Sequence, residues 1–492
     1  HNMVSTQMKC GLLMGFGAVG LVVGVVMVIM WPPIYMAQLR KTMVLTNVSQ
    51  SFEMWHEIPL PMYLELFMFN ITNVDDILEG NNVSIRVNQM GPYVFRERHI
   101  KANITWNDNS TVTFYNQRWW DFQPEMSNGT LSDNITSINP VLATIAHLTR
   151  HYPRVLKLLI DAFLRVNHNN MFLTANASDW LFEGISDPII DIAEHLNLPL
   201  NIPFDKFAWF YTRNGSMEYD GIFLMNTGAD DFSQLGNVEK WRYSDRTMYR
   251  DECGEVKGST GELWAPELGQ EELYIFVPDI CTYLTVHKDK DIEVLNIDGV
   301  QYATNDSVFD NGHHYPKMAC FCQENAGSDC MPSGALNVSE CRFGAPAFVS
   351  LPHFLYADPS YLAKVDGLQP TEEHKFRLAL EMFTGMPLAV AAQLQINLLI
   401  RHSNGISIIN ALPQPEVMVP MFWFRQEMNM NEEYASLARF ALRMRYAIVY
   451  AMYALTAVGV LLLTIGIVIL VRKLLKSPDT TPILADTTVD QQ

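Results

Sequence analysis

The sequence predicts an α+β protein that two terminal helices anchor in a membrane. Two uncharged apolar runs, residues 11–30 and 446–471, lie near the ends of the 492-residue chain. Between them, alternation of apolar and polar residues predicts β-strands, and one stretch with helical spacing, about 139–201, predicts a compact helical insertion. Together these observations predict one large mixed domain, residues 31–445, held between two membrane spans.

The first apolar run is twenty residues long and carries no charge. At about 1.5 Å per residue it covers roughly 30 Å, the thickness of a bilayer core. A cleaved signal peptide is the alternative, but its apolar part is usually only about 7–15 residues long and ends in small residues. This run ends in Trp31, Pro32 and Pro33. We therefore expect an uncleaved signal anchor behind a cytoplasmic stub, residues 1–10.

The second apolar run carries three tyrosines near its outer edge, at positions 446, 450 and 453. Tyrosine favours the membrane–water interface. Basic residues follow this run, at the start of a short tail (472–492), and Lys9 precedes the first run. Both ends therefore fit the cytoplasmic side under the positive-inside rule. Arg40 and Lys41 would then lie outside, so that rule alone does not decide the topology.

The N-glycosylation sequons decide the topology. All eleven lie between the two apolar runs, and neither terminal stub contains one. Because this modification marks lumenal surface, the distribution predicts that residues 31–445 form an extracellular or lumenal domain. The predicted sites are Asn47, Asn70, Asn82, Asn103, Asn109, Asn128, Asn134, Asn176, Asn214, Asn305 and Asn337.

Six of the seven cysteines lie in one stretch, residues 253–341. An even number in an oxidising compartment predicts three disulfides, for which the sequence alone allows 15 pairings. Zinc is the alternative, because two histidines precede Cys320 and Cys322, but a single intervening residue is poor spacing for a zinc knuckle. Cys10 stands apart at the cytoplasmic edge of the first span, where it is either S-acylated or a buried free thiol.

Local patterns predict the elements of the domain. Residues 82–104 and 111–122 alternate as strands around a turn at 107–110. Shorter strands are expected at 273–277, 283–286 and 395–400. In the helical insertion, a first helix runs from Val141 to Tyr152, a second follows Pro153, and a third begins at the capping sequence Ser186-Asp187-Pro188.

The helical insertion is a candidate partner or ligand surface, although plain core packing is the alternative. Two histidines are spaced four residues apart, which places them on one face of a helix. Since histidine titrates near pH 6.5, this pair would loosen a contact in an acidic endosome. Surface histidines without a role are the alternative. The candidate surface residues are His147, His151, Leu159, Phe163 and His168.

The sequence gives no sign of catalysis, metal or cofactor binding. It contains no G-x-S-x-G, H-E-x-x-H, P-loop or G-x-G-x-x-G motif. His353 lies among apolar residues and is interpreted as a structural histidine. The net charge is −19, with +1 from Lys9 and zero from the C-terminal tail. The domain therefore carries about −20, which disfavours nucleic acid and polyanionic ligands.

The C-terminal tail contains one sorting motif. Asp479, three spacer residues, Ile483 and Leu484 form a dileucine-type signal. This pattern predicts binding to a clathrin adaptor and delivery to endosomes or lysosomes. A tail without any signal is the alternative.

Several segments match the pattern of a known family. They are Met90-Gly-Pro-Tyr-Val94, Met171-Phe172, Ala319-Cys-Phe-Cys322, Gly334-Ala-Leu-Asn-Val338, Cys341-Arg-Phe-Gly-Ala-Pro346, Ser350-Leu-Pro-His-Phe-Leu-Tyr-Ala357, Asp366-Gly-Leu368, Glu372-Glu-His374 and Leu394-Gln-Ile-Asn-Leu398. With the two membrane spans, they resemble the class B scavenger receptor family over nearly the whole chain. The resemblance implies an irregular antiparallel β-barrel with a lipid tunnel, and a helical bundle at its membrane-distal apex, where the helical insertion would belong.

The resemblance also implies a function without catalysis. Fatty acid, sterol or phospholipid, bound directly or in a lipoprotein, would pass through the tunnel to the membrane. One departure from the family is the lack of lysine in residues 166–170, which counts against capture of anionic lipoproteins. The alternative is a trafficking receptor that binds a lumenal protein through the apical helices. The location would be the plasma membrane, the endosome–lysosome system, or both. The implied disulfides are Cys253–Cys320, Cys281–Cys341 and Cys322–Cys330.

Overall fold

The chain divides into a helical unit formed by its two ends and a β-rich unit formed by residues 43–435. The computed structural model describes residues 2–81, 83–167, 170–190, 204–267, 269–322, 330–412 and 414–475. The helices are α1 (Asn2–Met43), α2 (Gln50–His56), α3 (Val74–Leu78), α4 (Pro140–Leu148), α5 (Arg154–Val166), α6 (Pro359–Leu362) and α7 (Glu432–Leu475).

Helices α1 and α7 form an antiparallel pair, and both are long and apolar enough to cross a membrane. Small residues allow close approach: a Cβ atom added at Gly17 would lie 2.8 Å from the Leu463 backbone nitrogen. Trp31 donates a hydrogen bond from Nε1 to the carbonyl oxygen of Arg445 at 3.3 Å. Helix α1 continues through Pro32 and Pro33 to Met43. The two helices and the large domain between them therefore fit a two-pass membrane protein.

The Cys10 thiol faces the second of these helices. It is buried and lies 3.3 Å from the carbonyl oxygen of Gly466. This is the arrangement expected of a buried free thiol, which was one of the two alternatives for this residue.

The β-rich unit is built on one long antiparallel sheet. The strands are β1 (Met62–Ile71), β2 (Ile85–Trp106), β3 (Thr111–Phe122), β4 (Asn134–Ile138), β5 (Phe172–Asn176), β6 (Ile222–Asn226), β7 (Val238–Trp241), β8 (Glu272–Val277), β9 (Thr282–Val294), β10 (Ile297–Ala303), β11 (Leu336–Asn337), β12 (Ala347–Ser350), β13 (Val365–Asp366), β14 (Arg377–Leu380), β15 (Pro387–Arg401) and β16 (Glu416–Asn429). Within the sheet, hydrogen-bonded strands follow one another in the order β7-β6-β3-β2-β1-β16-β15-β14-β10-β9-β8.

A short segment around Ser259 closes most of the gap between the edge strands β7 and β8. The Val238 backbone N–H donates to the carbonyl oxygen of Gly258 at 2.8 Å on one side. On the other side, Ser259 exchanges backbone hydrogen bonds with β8 at Tyr274 and Phe276, at 3.0 and 2.9 Å. The sheet is therefore a nearly closed barrel. Its closure leaves few unpaired edge groups, which would otherwise promote association.

The longest hairpin follows the predicted alternation. Strand β3 occupies the predicted residues 111–122, and β2 begins at Ile85, three residues after the predicted start. Ser110 adopts a left-handed φ of 59° in the turn, and the Asn107 amide donates to the Thr111 hydroxyl at 3.0 Å. Because alternate residues of both strands point to the same face, this hairpin projects side chains into the barrel.

The helical insertion begins where the sequence predicts. The Asn139 side chain accepts hydrogen bonds from the backbone N–H groups of residues 141 and 142, and so caps α4. Helix α4 ends at Leu148, not near Tyr152, and α5 begins directly after Pro153. The Asp187 carboxylate accepts from the Ile189 N–H at 2.9 Å, and residues 188–190 are helical. The rest of the predicted third helix lies outside the described residues. Strand β5 also lies inside the insertion, where it pairs with β4, so the insertion is not purely helical.

Three disulfides crosslink the cysteine-rich segment, and they join the pairs that the resemblance implies. The Cα–Cα distances are 5.6 Å for Cys253–Cys320, 6.2 Å for Cys281–Cys341 and 5.7 Å for Cys322–Cys330. These distances lie within the range that a disulfide spans without backbone movement.

Candidate functional site: a barrel cavity with an ionic floor

The β-rich unit contains a cavity of about 210 Å³. Its wall consists of inward-facing side chains of the central strands and of the buried face of α4. This volume exceeds that of the roughly 150 Å³ apolar cavity that takes up benzene. The cavity is therefore roomy enough for part of an aliphatic ligand. The apolar residues contributed by strands and α4 are Leu64, Pro140, Val141, Ala347, Val349, Leu394, Ile396, Leu398, Phe422 and Phe424.

An aromatic segment, residues 204–210, forms another side of the cavity. Phe207, Trp209 and Phe210 line it, and the Trp209 and Phe422 rings lie 5.0 Å apart. Phe204 packs edge-to-face on Phe343 at 5.3 Å, and 49% of Phe343 is exposed. These last two rings therefore mark the rim, where the cavity approaches the surface, and Lys206 lines the cavity beside them.

Charged side chains form the opposite side, and we call this group the ionic floor. It contains three arginines and three carboxylates, all contributed by β2, β3 and the loops that pack against them. Five of the six line the cavity, and the sixth, Asp220, pairs with two of the arginines. The members are Glu97, Arg118, Arg213, Asp220, Asp279 and Arg342.

Arg213 is the centre of the ionic floor. Its guanidinium donates to Asp220 at 2.8 Å and pairs with Asp279 at 3.0 Å. It also lies over the rings of Trp120 and Tyr219, 5.5 and 5.0 Å from their centroids. Although burial opposes charge, the two carboxylates raise the pKa of Arg213 above its ordinary value. This arginine therefore stays charged inside the barrel.

Asp279 is held between two arginines. Burial acts to raise its pKa, but Arg213 and Arg342 outweigh burial and hold the pKa well below the usual value. Arg342 lies 3.2 Å from the carboxylate and donates to the Asp279 backbone carbonyl. Asp279 is therefore ionised at any physiological pH.

The pKa of Glu97 is shifted in the opposite direction to that of Asp279. It is buried, and its Oε2 atom accepts hydrogen bonds from Trp120 and Gln426, at 3.0 and 2.8 Å. Burial raises the pKa of Glu97 above its ordinary value, against the opposing effect of Arg118. Its other carboxyl oxygen, Oε1, lies 3.8 Å from the Arg118 Nε atom and has no hydrogen-bond partner in the described part of the chain. This oxygen therefore remains available to a ligand.

A second buried polar group extends the ionic floor along the barrel. Lys101 donates to Glu262 at 2.6 Å and to Asn116 at 2.9 Å, and lies 3.3 Å from His99. Burial and the charge of Lys101 hold the pKa of His99 well below its ordinary value, so this imidazole is neutral.

These polar side chains separate two apolar clusters. On the inner face of β3, Trp120 belongs to the cluster around the cavity, and Phe114 belongs to a second cluster with Trp55. Arg118 and Asn116 lie between them at the two-residue spacing of a strand face. The cavity therefore ends on charged side chains.

Comparison with known proteins assigns this chain to a family. The family model described as the CD36 family matches residues 15–470. The chain belongs to the CD36 family. It is 34% identical to Protein peste of Drosophila melanogaster over 418 residues, which cover 82% of this chain and 73% of the relative. It is 34% identical to Scavenger receptor class B member 1 of Bos taurus over 468 residues, 93% of this chain and 89% of the relative.

A lysosomal relative is more distant. Lysosome membrane protein 2 of Homo sapiens is 28% identical over 429 residues, which cover 86% of each chain. The CD36-family match therefore covers the barrel, the helical insertion and both candidate membrane helices.

The structure brings together two of the predicted surface histidines, though not on one helix face. Because α4 ends at Leu148, His151 lies in the following turn and the predicted i, i+4 pair is wrong. Arg150 instead joins them: its guanidinium contacts the His147 Nε2 at 2.5 Å and donates to the His151 Nε2 at 3.0 Å. Burial and the neighbouring charge of Arg150 lower the pKa of His147 to about 4. His147 therefore stays neutral between pH 7 and 5, and it does not supply the predicted endosomal switch.

The other predicted surface residues differ in their surroundings. Leu159 is 62% exposed on α5, whereas Phe163 packs against the main apolar cluster. His168 lies outside the described residues, as do the sorting residues Asp479, Ile483 and Leu484.

His353 has the role that the sequence predicts. Its Nδ1 atom accepts from the Gln369 N–H at 3.1 Å, so the neutral ring donates from Nε2 to the Gln89 side chain at 2.8 Å. Burial and the adjacent His374 lower its pKa to about 4. Both ring nitrogens are occupied, as in a structural histidine.

Sequence reasoning missed the ionic floor. Glu97, His99 and Lys101 alternate on β2, which is a signal for one strand face. However, Arg96 and Arg98 alternate on the other face. Only the fold shows which set points inward, so the sequence could not assign the charged face. The aromatic run from Phe204 to Tyr211 was a better signal for a ligand wall.

Proposed function

We propose that this CD36-family protein is a two-pass membrane receptor, without catalytic activity, that binds a lipid in the barrel cavity and passes it toward the membrane. The observation that carries the proposal is the cavity itself, an apolar and aromatic wall inside a domain tethered by two candidate membrane helices. Membership of a family with scavenger receptors supports the same function.

The energetics favour such a carrier. Each buried methylene group gains about 0.8 kcal/mol on leaving water, so an acyl chain loses roughly that amount per carbon when it must cross water unaided. An apolar protein wall that shelters part of the acyl chain from water lowers the free-energy barrier to transfer. No energy source is needed, because the lipid follows its concentration gradient.

Lipid extraction from the purified protein tests the proposal. The full chain is purified, washed free of loosely bound lipid, and extracted for mass spectrometry. We expect a lipid in stoichiometric amount. A bulky substitution in the cavity wall, Ala345→Phe, is expected to lower that amount. The matched control Ala102→Phe lies on β2 away from the cavity lining and is expected to retain the lipid. Absence of lipid, together with no uptake of added lipid, contradicts the proposal.

The sorting motif of the C-terminal tail is the basis for a proposed cellular location. We infer that the acidic dileucine-type signal binds a clathrin adaptor and that the protein cycles between the plasma membrane and the endosome–lysosome system. Relatives include a protein named for the lysosome membrane. Replacing Ile483 and Leu484 with alanine is expected to raise the amount at the cell surface several-fold, measured by surface biotinylation. Thr480→Ala is the matched control.

The exposure of the sequon asparagines is the basis for proposing which of them carry glycans. Ten sequons fall on described residues. Three of their asparagines are half-buried: Asn70, Asn305 and Asn337. Glycopeptide mass spectrometry of protein from secretory cells is expected to find glycans mainly at the exposed positions. Glycans confined to the half-buried sites would contradict this assignment. The exposed positions are Asn47, Asn103, Asn109, Asn128, Asn134, Asn176 and Asn214.

A trafficking receptor is the second candidate function, and the exposed apolar side chains of α5 favour it. Val155, Leu159 and Val166 are 69%, 62% and 75% exposed on this helix. Such apolar exposure is typical of a partner surface. Replacing Val155 and Leu159 with serine is expected to release a bound lumenal protein and to leave lipid content unchanged. If lipid is lost as well, the helix serves the cavity rather than a partner.

A further inference from the structure

We propose that a second cavity, between α4, α5 and the loop that follows β15, binds one phosphate or sulfate group of a small soluble molecule. The residues that we expect to bind this group are Arg150, Lys157 and Ser403. We call this site the basic cavity. It shares none of its described lining residues with the barrel cavity, and the inference goes beyond lipid binding and does not depend on it.

The basic cavity has a volume of about 130 Å³. Its wall is formed by the C-terminal half of α4 and the turn after it, by Lys157 of α5, by the end of β15 and by residues of the following loop. One water needs only about 10–15 Å³ of such space, so the cavity has room for a group of several heavy atoms. Pockets that enclose a drug-sized molecule measure roughly 300–1,000 Å³, so this one takes a small ion or one group of a larger ligand.

Positive charge is concentrated in the basic cavity. Arg150, Lys157 and Arg401 line it, and none of its described lining residues is a carboxylate. Arg401 pairs with Glu416 at 2.5 Å. Arg150 instead donates to the His151 ring at 3.0 Å, and Lys157 donates to the Arg150 carbonyl oxygen at 2.6 Å. In the described part of the chain neither of these two cations pairs with a carboxylate, so the cavity holds two positive charges without counter-ions.

The imidazole of His147 reflects this concentration of charge. It lies at the cavity wall, where its Nε2 atom contacts the Arg150 guanidinium at 2.5 Å. Burial lowers the pKa of His147, and the charges of Arg150 and Arg401 lower it further, to about 4. Two guanidinium groups therefore act on the same part of the wall, where they would stabilise an anion.

A buried hydroxyl without a partner belongs to the same wall. Ser403 is only 7% exposed, and its Oγ atom has no hydrogen-bond partner among the described residues. The Asn410 side chain fixes its backbone, because it accepts from the Ser403 N–H at 2.8 Å and donates to the Ser403 carbonyl oxygen at 3.0 Å. Buried hydroxyls are normally bonded, and an exception beside a cavity indicates a missing ligand or water. An oxyanion in the basic cavity would accept a hydrogen bond from this hydroxyl.

The loop that carries Ser403 is already fixed to α5. The Asp161 carboxylate accepts from the Ser407 N–H at 2.8 Å and from the Ser407 hydroxyl at 2.6 Å. The loop also approaches the helix closely at Gly405, where an added Cβ atom would lie 2.8 Å from the Lys157 Cβ. Because loop and helix are held together, binding of an anion would need little further ordering.

The donors favour a phosphate or sulfate group over a carboxylate. A phosphate group carries about 1.5 to 2 negative charges near neutral pH and presents three strong acceptor oxygens. It therefore matches the two uncompensated cations and the three donor groups of Arg150, Lys157 and Ser403. The domain as a whole carries about −20, which repels an anionic membrane surface. A small ion in the cavity responds mainly to charges within a Debye length of about 8 Å, so a soluble ligand is favoured.

Isothermal titration calorimetry on the full chain in a non-ionic detergent tests the inference. Inorganic phosphate is titrated at pH 7.4, with chloride adjusted to hold the ionic strength at about 0.15 M. We expect one saturable site per chain, for which inorganic sulfate competes. Arg150→Gln is expected to weaken phosphate binding at least roughly tenfold, since a charged hydrogen bond is lost.

A second variant and a matched control complete the design. Ser403→Ala removes a hydroxyl that has no partner among the described residues, so its melting temperature without phosphate is expected to equal that of the parent. Its phosphate affinity is expected to fall about two- to tenfold. Arg154→Gln changes an exposed arginine of α5, about one turn before Lys157 and outside the described cavity lining, and is expected to bind phosphate as the parent does.

Three results would overturn the inference. The first is that the parent binds neither phosphate nor sulfate. The second is that Arg154→Gln weakens binding as much as Arg150→Gln, because binding would then reflect the general charge of the helices. The third is that detergent micelles containing phosphatidic acid bind through Arg150 while inorganic phosphate does not, because the ligand would then be a lipid surface. None of these results changes the lipid content of the barrel cavity, so the proposed function is tested separately.

Discussion

Replacement of Lys101 by methionine is expected to destabilise the β-rich unit strongly. Lys101 is 2% exposed, and its ammonium bonds to Glu262 at 2.6 Å and to Asn116 at 2.9 Å. It also lies 5.8 and 5.4 Å from the ring centroids of Trp55 and Phe114. Methionine preserves the shape of the stem but leaves Glu262, with its side chain only 15% exposed, without its cation.

The size of the effect follows from these contacts. Removing one partner of a buried ion pair costs about 3–5 kcal/mol. The β-rich unit spans residues 43–435, and unfolding entropy is about 2.1 cal/mol/K per residue, or roughly 0.8 kcal/mol/K for a unit of that size. The melting temperature of Lys101→Met is therefore expected to fall by about 4–6 °C.

Thermal unfolding followed by tryptophan fluorescence is the assay, on the full chain in one detergent. The double variant Lys101→Met with Glu262→Gln removes both charges, so it is expected to recover much of the loss. Lys240→Met, at an exposed position on β7, is the control and is expected to change little. A melting temperature for Lys101→Met within about 1 °C of the parent would refute the reasoning, since that corresponds to only about 1 kcal/mol.

Three further predictions concern other parts of the domain. Burial raises the pKa of Glu97 above its ordinary value near 4.5. Above pH 4.5 the folded protein therefore holds a proton that the unfolded chain has lost, and the free energy of unfolding falls as the pH rises toward the folded-state pKa. Glu97→Gln is expected to gain stability relative to the parent as pH rises from 5 to 8 in melting experiments, and a difference in melting temperature that does not change with pH would contradict this. Asn139→Ala removes the cap of α4 and is expected to cost about 0.5–2 kcal/mol in denaturant unfolding, with Asn139→Asp retaining most of the stability. Replacing both Cys281 and Cys341, which are 60 residues apart, with serine is expected to cost about 4 kcal/mol, measured against the same parent under oxidising conditions.

The hairpin and the helices show why parts of the fold could be predicted. Strand β3 matches its predicted bounds because a strand alternates with a period of two residues, a local property of the chain. The start of α4 lies one residue before the predicted Val141, because the apolar spacing that predicted this helix is also a local property of the chain. Its end was not predicted: the apolar spacing continues to Tyr152, but the chain turns after Leu148. Competition between local spacing and tertiary packing decides such boundaries.

The candidate site shows what local patterns leave open. Glu97 and Arg118 lie on neighbouring strands, whereas Arg213, Asp279 and Arg342 come from loops far apart in the sequence. No spacing rule connects these positions, because their proximity depends on the closure of the barrel. His147 is a similar case, since its low pKa depends on burial and on Arg150.

The sequence by itself determined the two apolar ends, the segregation of sequons and cysteines between them, the alternation of the strands and membership of a family. These are properties of composition and of near neighbours. Only the tertiary structure decided which face of β2 points inward, and therefore that charged side chains close the cavity. The physical reason is that a side chain's environment inside a barrel is set by strands distant in sequence, and burial among those strands fixes its charge, its partners and the ligand it favours.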